Sequence, residues 1–118
     1  MKSHDLGVAG ERIAEGYLVS RGYSILERNW RFAKAEVDII AAEGEEVVAV
    51  EVKSRSSTAY GDPREFINRR KIQLLRKAMN AYVNLNGLDH EVRFDIIGII
   101  RENGRERISH LKDAWGIF

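Results

Sequence analysis

The chain has 118 residues, 44% of them apolar and 31% charged, with a formal net charge of +1 and no cysteine. That length fits one domain spanning 1–118, large enough to bury a core without staples. The lack of cysteine excludes disulfides, thiolate zinc sites and a cysteine nucleophile, and it suits a reducing compartment. No stretch approaches the ~20 apolar residues of a membrane span, and the Met-Lys-Ser-His-Asp start lacks the apolar core of a signal peptide. A cytoplasmic protein without membrane attachment is therefore expected.

A helix is expected over residues 6–21, where Ala9, Ile13, Tyr17 and Leu18 fall at helical spacing. Gly22 stands where a helix C-terminus takes a left-handed residue, and Asp5 or Ser3 is placed to cap the start. Three strands follow. The first, 23–31, has Ile25 and Trp30 among its apolar residues, and the second, 36–42, is centred on Val37-Asp38-Ile39-Ile40. The third, 47–53, is the clearest, because Val47, Val48, Val50 and Val52 make it β-branched. The links, 32–35 and 43–46, are short, which favours an antiparallel meander. Residues 54–61 read as a mobile polar loop.

The second helix has two candidate starts. Asp62-Pro63-Arg64-Glu65 offers a cap, proline at the first position and a glutamate three residues after the cap; Asn68 is the other. From either, the helix runs to about Leu85 and stops at Asn86-Gly87. Its buried stripe is Ile72, Leu75, Met79 and Tyr82, and its polar face Arg69, Gln73, Arg76 and Asn80. Residues 92–100 form a fourth strand, apolar from Phe94 onward apart from Asp95, a pattern of burial on both faces. Residues 105–110 read as an edge strand, and 113–118 return Trp115 and Phe118 to the core. The order is αβββαβ with a final short strand, an α/β chain in which the strand after the long helix can return parallel to an earlier one.

Charge is unevenly distributed. Residues 36–51 hold six acids and no base, whereas 52–86 hold eight bases and two acids. Such blocks suit an internally neutralised surface, and equally a metal site beside a phosphate-binding surface.

The chemistry concentrates at Glu51-Val52-Lys53, at the end of the third strand. Side chains two apart on a strand share a face, with Cβ atoms roughly 6–7 Å apart. Glu51 and Lys53 thus point one way, and Val48, Val50 and Val52 the other. A Glu-x-Lys triplet is weak by itself, since a chain with 12 Glu and 6 Lys yields one by chance about as often as not. Asp38 adds weight. It lies mid-strand among Val37, Ile39 and Ile40, where a lone carboxylate needs a partner or a metal. A short-turn meander sets it opposite Glu51, and two facing carboxylates repel. A divalent cation such as Mg²⁺ removes that conflict, with Lys53 beside it to handle a water proton or a phosphate charge. The competing reading is a buried Asp38–Lys53 ion pair.

The Asp38…Glu51-Val52-Lys53 pattern resembles the core motif of the PD-(D/E)xK nuclease superfamily, with Val37 where that motif has proline. Ala9-Gly10-Glu11 with Ala14, Gly22-Tyr23 to Trp30-Arg31, Glu36-Val37-Asp38-Ile39-Ile40, Val50-Glu51-Val52-Lys53-Ser54-Arg55 and Arg93-Phe94-Asp95 together resemble the YraN family, also called UPF0102. This likeness covers nearly the whole chain, and that family is similar to archaeal Holliday junction resolvases. It implies a restriction-endonuclease-like αβββαβ core, a central mixed sheet flanked by helices, a Mg²⁺ or Mn²⁺ requirement and endonuclease action on DNA.

By the same likeness Asp38 and Glu51 match the metal-binding acids, Lys53 the catalytic lysine, and the Val52 carbonyl a further ligand. Glu11 matches an acid that resolvase-like nucleases bring to the metal from the first helix, although a helical glutamate is commonly just solvated. Glu36 reads as either a supporting acid or a rim charge. Arg55 and the loop to Tyr60 are placed to hold a DNA backbone. Arg69, Arg70 and Lys71, with Arg76 and Lys77, read either as phosphate contacts or as a solvated helix face. A two-fold dimer would suit cutting both strands of a symmetric junction. Asp95 reads as structural, paired with Arg93 or a backbone amide, and the three histidines lack metal-ligand spacing.

Overall fold

The computed structural model describes residues 3–55 and 68–115, with side chains from residue 9 onward. α1 (Ser3–Ser20) leads into β1 (Ser24–Phe32), β2 (Ala35–Glu43) and β3 (Glu46–Arg55); α2 (Arg69–Leu85), β4 (Glu91–Glu102) and β5 (Arg105–Leu111) follow. The strands lie in one sheet in sequence order, antiparallel except for the β3–β4 step, which is parallel. Two-residue turns make the hairpins. In Asn103-Gly104 both residues are left-handed (φ 51° and 73°), the backbone that a tight hairpin requires. The parallel step cannot be made by a turn, and α2 lies in that crossover.

The expected elements are present, with edges moved by a few residues. α1 begins by Ser3, so Ser3 and Asp5 lie in its first turn and not at a cap. It ends as expected, with Gly22 at φ 91°. Of the two starts weighed for the second helix, Asn68 caps α2, its Oδ1 accepting from the Lys71 amide at 2.8 Å. The Asp62 alternative, most of the polar loop with Tyr60, and Phe118 lie outside the described residues. Among those described, no helix is long and apolar enough to cross a membrane.

A helix covers each face of the sheet. α2 packs Leu75, Ala78, Met79 and Tyr82 on Val37, Ile40, Val47, Ala49 and Phe94. α1 packs Ala14 and Leu18 on Ile39, Ala41, Val48, Val50, Ile97 and Ile99. Ile72 leaves the expected α2 stripe for a small cluster with Ile96 and Ala114. β4 is buried continuously over 93–99, as its apolar run predicts. α1 sits close against the end of β3, where a Cβ on Gly10 would collide with the Ser54 hydroxyl.

One irregularity is shared by β1 and β2. Val37 faces α2, yet Ile39, two residues on, faces α1. A regular strand would place both on one face. In β1, Arg28 pairs with Glu15 of α1 while Trp30 packs edge-on to Tyr82 of α2. The alternation therefore breaks at Asn29 and Asp38, between the rungs Arg28↔Ile39 and Trp30↔Val37. Asn29 is left-handed (φ 48°), which asparagine tolerates better than most residues.

Nearer the β2–β3 turn, the sheet is tied by a buried polar network around Asp95. Arg93 Nε and Nη2 donate to its two oxygens at 2.9 and 3.0 Å, the Tyr23 hydroxyl at 3.1 Å and the Asp113 amide at 3.1 Å, and His110 Nε2 lies 2.8 Å away. Arg93 Nη1 reaches on to Glu43 and Glu46 beside the turn, at 2.8 and 2.9 Å. Burial pushes the Asp95 carboxyl up, but the hydrogen bonds from His110 and Arg93 outweigh it and hold it down at about 2. Asp95→Asn removes the buried carboxylate that takes Nε and Nη2 of Arg93, leaving only Glu43 and Glu46 on Nη1, and should cost about 3 kcal/mol in urea unfolding. Because the folded value lies below the ordinary ~3.9, this contribution is full above about pH 4 and is lost as pH falls toward 2. The gap between parent and variant should narrow by up to about 2–3 kcal/mol over that window, and a gap that stays constant would contradict the assignment.

Candidate functional site

The β2–β3 ladder runs from Glu43↔Glu46 to Ile39↔Val50 and stops there. The next rung would join Asp38 to Glu51. Instead the Val52 amide donates to Asp38 Oδ2 at 2.9 Å. The side chain of Asp38 thus replaces a backbone acceptor, while β3 continues beside β4 as far as Arg55↔Ile100.

Glu51 points to the α2 side and is 2% exposed. Its Oε2 pairs with Lys71 Nζ at 3.0 Å, and its Oε1 is buried with no hydrogen-bond partner. Burial, then the neighbouring Asp38 charge, pushes its carboxyl up to about 7, although Lys71 and Lys53 pull the other way. Asp38 is raised as well, by burial first, against the Val52 hydrogen bond and the charges of Lys71 and Lys53. Lys53, half-buried, is lowered by burial and then by Lys71, with the two acids opposing. Asp38, Glu51, Lys53 and Lys71 form one electrostatic unit of two acids and two bases.

Asp38, Glu51 and Lys53 therefore come together as the strand pattern predicts. The Asp38–Lys53 ion pair weighed as an alternative does not form among the described residues; the pair that forms is Glu51–Lys71. Lys71, expected among the phosphate-contact residues, reaches into the acid pair, which strand periodicity has no means of indicating. Its side chain remains 39% exposed.

Glu11 shares with Asp38 a cleft of about 660 Å³ between α1 and the β1–β2 pair, lined also by Glu15, Arg28 and Asn29. With its amide nitrogen turned toward the acids, Asn29 donates to Glu11 Oε1 at 2.7 Å and to Glu36 Oε1 at 3.3 Å. Glu36 also pairs with Arg31 at 3.1 Å on the exposed rim. Arg55 is half-buried and donates to the Ser54 carbonyl at 3.2 Å. Arg69 and Arg70 are exposed. Asp95 is structural, as expected. His110 joins its network and the Tyr17 hydroxyl (3.1 Å), a role its isolated position in the sequence does not reveal.

The donor set suits a hard divalent cation. Mg²⁺ is commonly held by one or two carboxylates and keeps several waters, and Glu51 Oε1 is a buried acceptor without a partner. Among the described residues, no group of three or more His, Cys, Asp or Glu side chains converges to hold an ion. The fit thus rests on Asp38 and Glu51, with Glu11 lining the cleft that Asp38 shares and accepting from Asn29.

These features define an αβββαβ protein whose mixed sheet opens beside two buried carboxylates and two lysines. Residues 10–99 match the model of Uncharacterised protein family UPF0102, and the chain belongs to that family. A UPF0102 protein of Flavobacterium psychrophilum is 51% identical over 112 residues, covering 95% of this chain and 94% of the relative. One of Christiangramia forsetii is 48% identical over 115 residues (98% and 97%), and one of Bacteroides thetaiotaomicron 47% over 112 residues (95% and 93%).

The raised carboxyl of Glu51 has a measurable consequence. Its folded value near 7 exceeds the ordinary ~4.3, so its contribution to stability is full below about pH 4.3 and is lost as pH rises through 7. Glu51→Gln, always neutral, should be more stable than the parent at pH 8, by up to about 3 kcal/mol, and no more stable near pH 4. Urea titrations in EDTA at both pH values test this. A variant less stable than the parent at pH 8 would show that the ion pair with Lys71 outweighs burial.

Proposed function

We propose that this protein is a divalent-metal-dependent endonuclease of restriction-endonuclease-like architecture that hydrolyses DNA phosphodiesters, with preference for branched or junction DNA. The observation that carries the reading is the pairing of two carboxylates, Asp38 and Glu51, at a break in the sheet, with an unpartnered oxygen on Glu51 and a lysine two residues on. Burying two repelling acids side by side lowers stability, and such sites concentrate where chemistry needs them.

Asp38 and Glu51 would hold a Mg²⁺ or Mn²⁺ ion together with the Val52 carbonyl. A strand residue turns its N–H and C=O toward the same neighbour, and the Val52 N–H already faces Asp38. The metal supplies Lewis-acid polarisation of a phosphoryl oxygen and acidification of water. Lys53, its ammonium made easier to deprotonate by burial, would in its neutral form donate an N–H to a nonbridging phosphate oxygen. It would take a proton from the attacking water as the water oxygen bonds to phosphorus, while the P–O bond to the leaving sugar oxygen breaks and that oxygen takes a proton from solvent. Lys71 would leave Glu51 as the cation binds, freeing its ammonium for the phosphate. Glu11 would act from the adjoining cleft through water, and Arg55, Arg69 and Arg70, together with Tyr60, would steady the DNA backbone. A two-fold dimer would place two such sites on a symmetric junction.

A second reading draws on the Glu51–Lys71 pair: an interaction module, or a nucleic-acid-binding module without cleavage, in which the lysine satisfies the acid permanently. Incubation with Mn²⁺ and a panel of four-way, flapped, single-stranded and duplex DNA separates the readings. The parent should cut at least one branched substrate. Lys53→Ala should lower the cleavage rate by about 100-fold or more with little change in DNA binding, and Asp38→Ala should abolish Mn²⁺ binding. No cleavage of any substrate, or a Lys53→Ala variant as fast as the parent, would overturn the nuclease reading.

A further inference from the structure

Beside the acid pair, on the sheet face that α2 covers, a cleft of about 370 Å³ separates the β1–β2 turn from the start of α2. Its walls carry Lys34, Arg70 and Lys71, with Glu36 and Asn68. Lys34 and Arg70 are exposed, and neither hydrogen-bonds nor ion-pairs within the described residues. Lys71 connects this cleft to Glu51. The acid on the rim is already engaged, Glu36 being held by Arg31 and by the Asn29 amide. Among the described residues the cleft thus presents positive charge at Lys34 and Arg70 without an acidic partner, and Lys71 carries the run inward to the acid pair.

Next to the cleft wall in the sheet is Phe32, the last residue of β1, which pairs across the ladder with the lining residue Ala35. The residue is 39% exposed, and its ring lies parallel to that of Trp30, with planes 3° apart and centroids 6.0 Å apart. Trp30 in turn rests edge-on to the buried Tyr82 at 5.2 Å. Phe32 is therefore backed on one side by Trp30, which itself packs on Tyr82.

We propose that this stretch binds one unpaired nucleic-acid strand, with Lys34 and Arg70 on its phosphates and Phe32 stacked against a base. Every base has a π-face, so a fixed aromatic ring beside a cationic groove accepts a single strand of any sequence. A duplex keeps those faces covered by its own stacking, so only an unpaired strand uses the ring. Two cations in the cleft, Lys34 and Arg70, without an acidic partner among the described residues favour a polyanion over an apolar peptide or a second copy of this chain at the β1 edge. The inference deepens the nuclease reading by naming the substrate class, a duplex bordered by an unpaired strand. The binding itself stands without cleavage.

Fluorescence anisotropy in EDTA, with a labelled oligo-dT and a blunt duplex of equal length, tests this. Phe32→Leu retains apolar bulk and loses the π-face; it should weaken oligo-dT binding by about tenfold and leave the duplex nearly unaffected, with Phe32→Trp restoring the parent affinity. Lys34→Ala and Arg70→Ala should each flatten the salt dependence of oligo-dT binding by about 0.7 in log–log slope. Unchanged binding by Phe32→Leu, equal loss on both ligands, or a change in sedimentation in place of oligonucleotide affinity would overturn the proposal. If the parent cuts no DNA yet Phe32→Leu loses oligo-dT, the nuclease reading falls and the track stands. If the parent cuts and Phe32→Leu binds as the parent does, the track alone falls.

Discussion

Where β2 leaves β3, the Val52 amide gives its hydrogen bond to the carboxylate of Asp38 and not to a backbone carbonyl. An unpaired amide there would carry the penalty of a lost hydrogen bond, so the side chain lets the sheet open without an orphaned donor. The opening has two effects. It frees the end of β3 on its β2 side while β4 supports the other, and it turns Asp38 from a ladder partner of Glu51 into a side-chain acceptor beside it. The break in alternation at Asn29 and Asp38 belongs to the same event, since it frees Asp38 from the regular inward or outward choice of a strand side chain.

Two buried carboxylates on neighbouring strands of this sheet show how surroundings decide behaviour. Asp95 and Glu51 are both almost fully inaccessible. Asp95 is ringed by donors from Arg93, Tyr23, His110 and a backbone amide, and its charge is stabilised. Glu51 has one lysine, one acid neighbour and an oxygen without a partner, and its charge is disfavoured. One carboxylate ties the sheet together and the other holds it in a strained electrostatic state. The difference lies in the count and sign of the groups around each, which is how a scaffold residue differs from a candidate reactive one.

Much of this is legible in the residues. The valine run of β3 fixes which way Glu51 and Lys53 point, because a two-residue period leaves no choice. Short links imply the meander, and so the nearness of Asp38. The apolar run of β4 announces a strand buried on both faces, and Asp95 within it announces a polar partner. Lys71 is different. It stands 20 positions beyond Glu51 on another element, and its polar neighbours make it look like part of a solvated face. Asn29 and His110 are likewise silent, since neither sits in a pattern, and each acquires its role from atoms that only folding brings within 3 Å.

The sequence by itself determined the element order, the two covered faces of the sheet and the membership of Asp38, Glu51 and Lys53 in one constellation, because these follow from periodicities and link lengths local to the chain. Only the tertiary structure decided that Lys71 reaches Glu51, that Asn29 donates to Glu11, and that Phe32 pairs with a residue on the wall of a cationic cleft. Those outcomes depend on how α1 and α2 seat against opposite faces and on a strand irregularity that no alternating pattern encodes. The constellation was visible as a list of residues; its charge balance and its neighbours were set by packing between segments far apart in the chain.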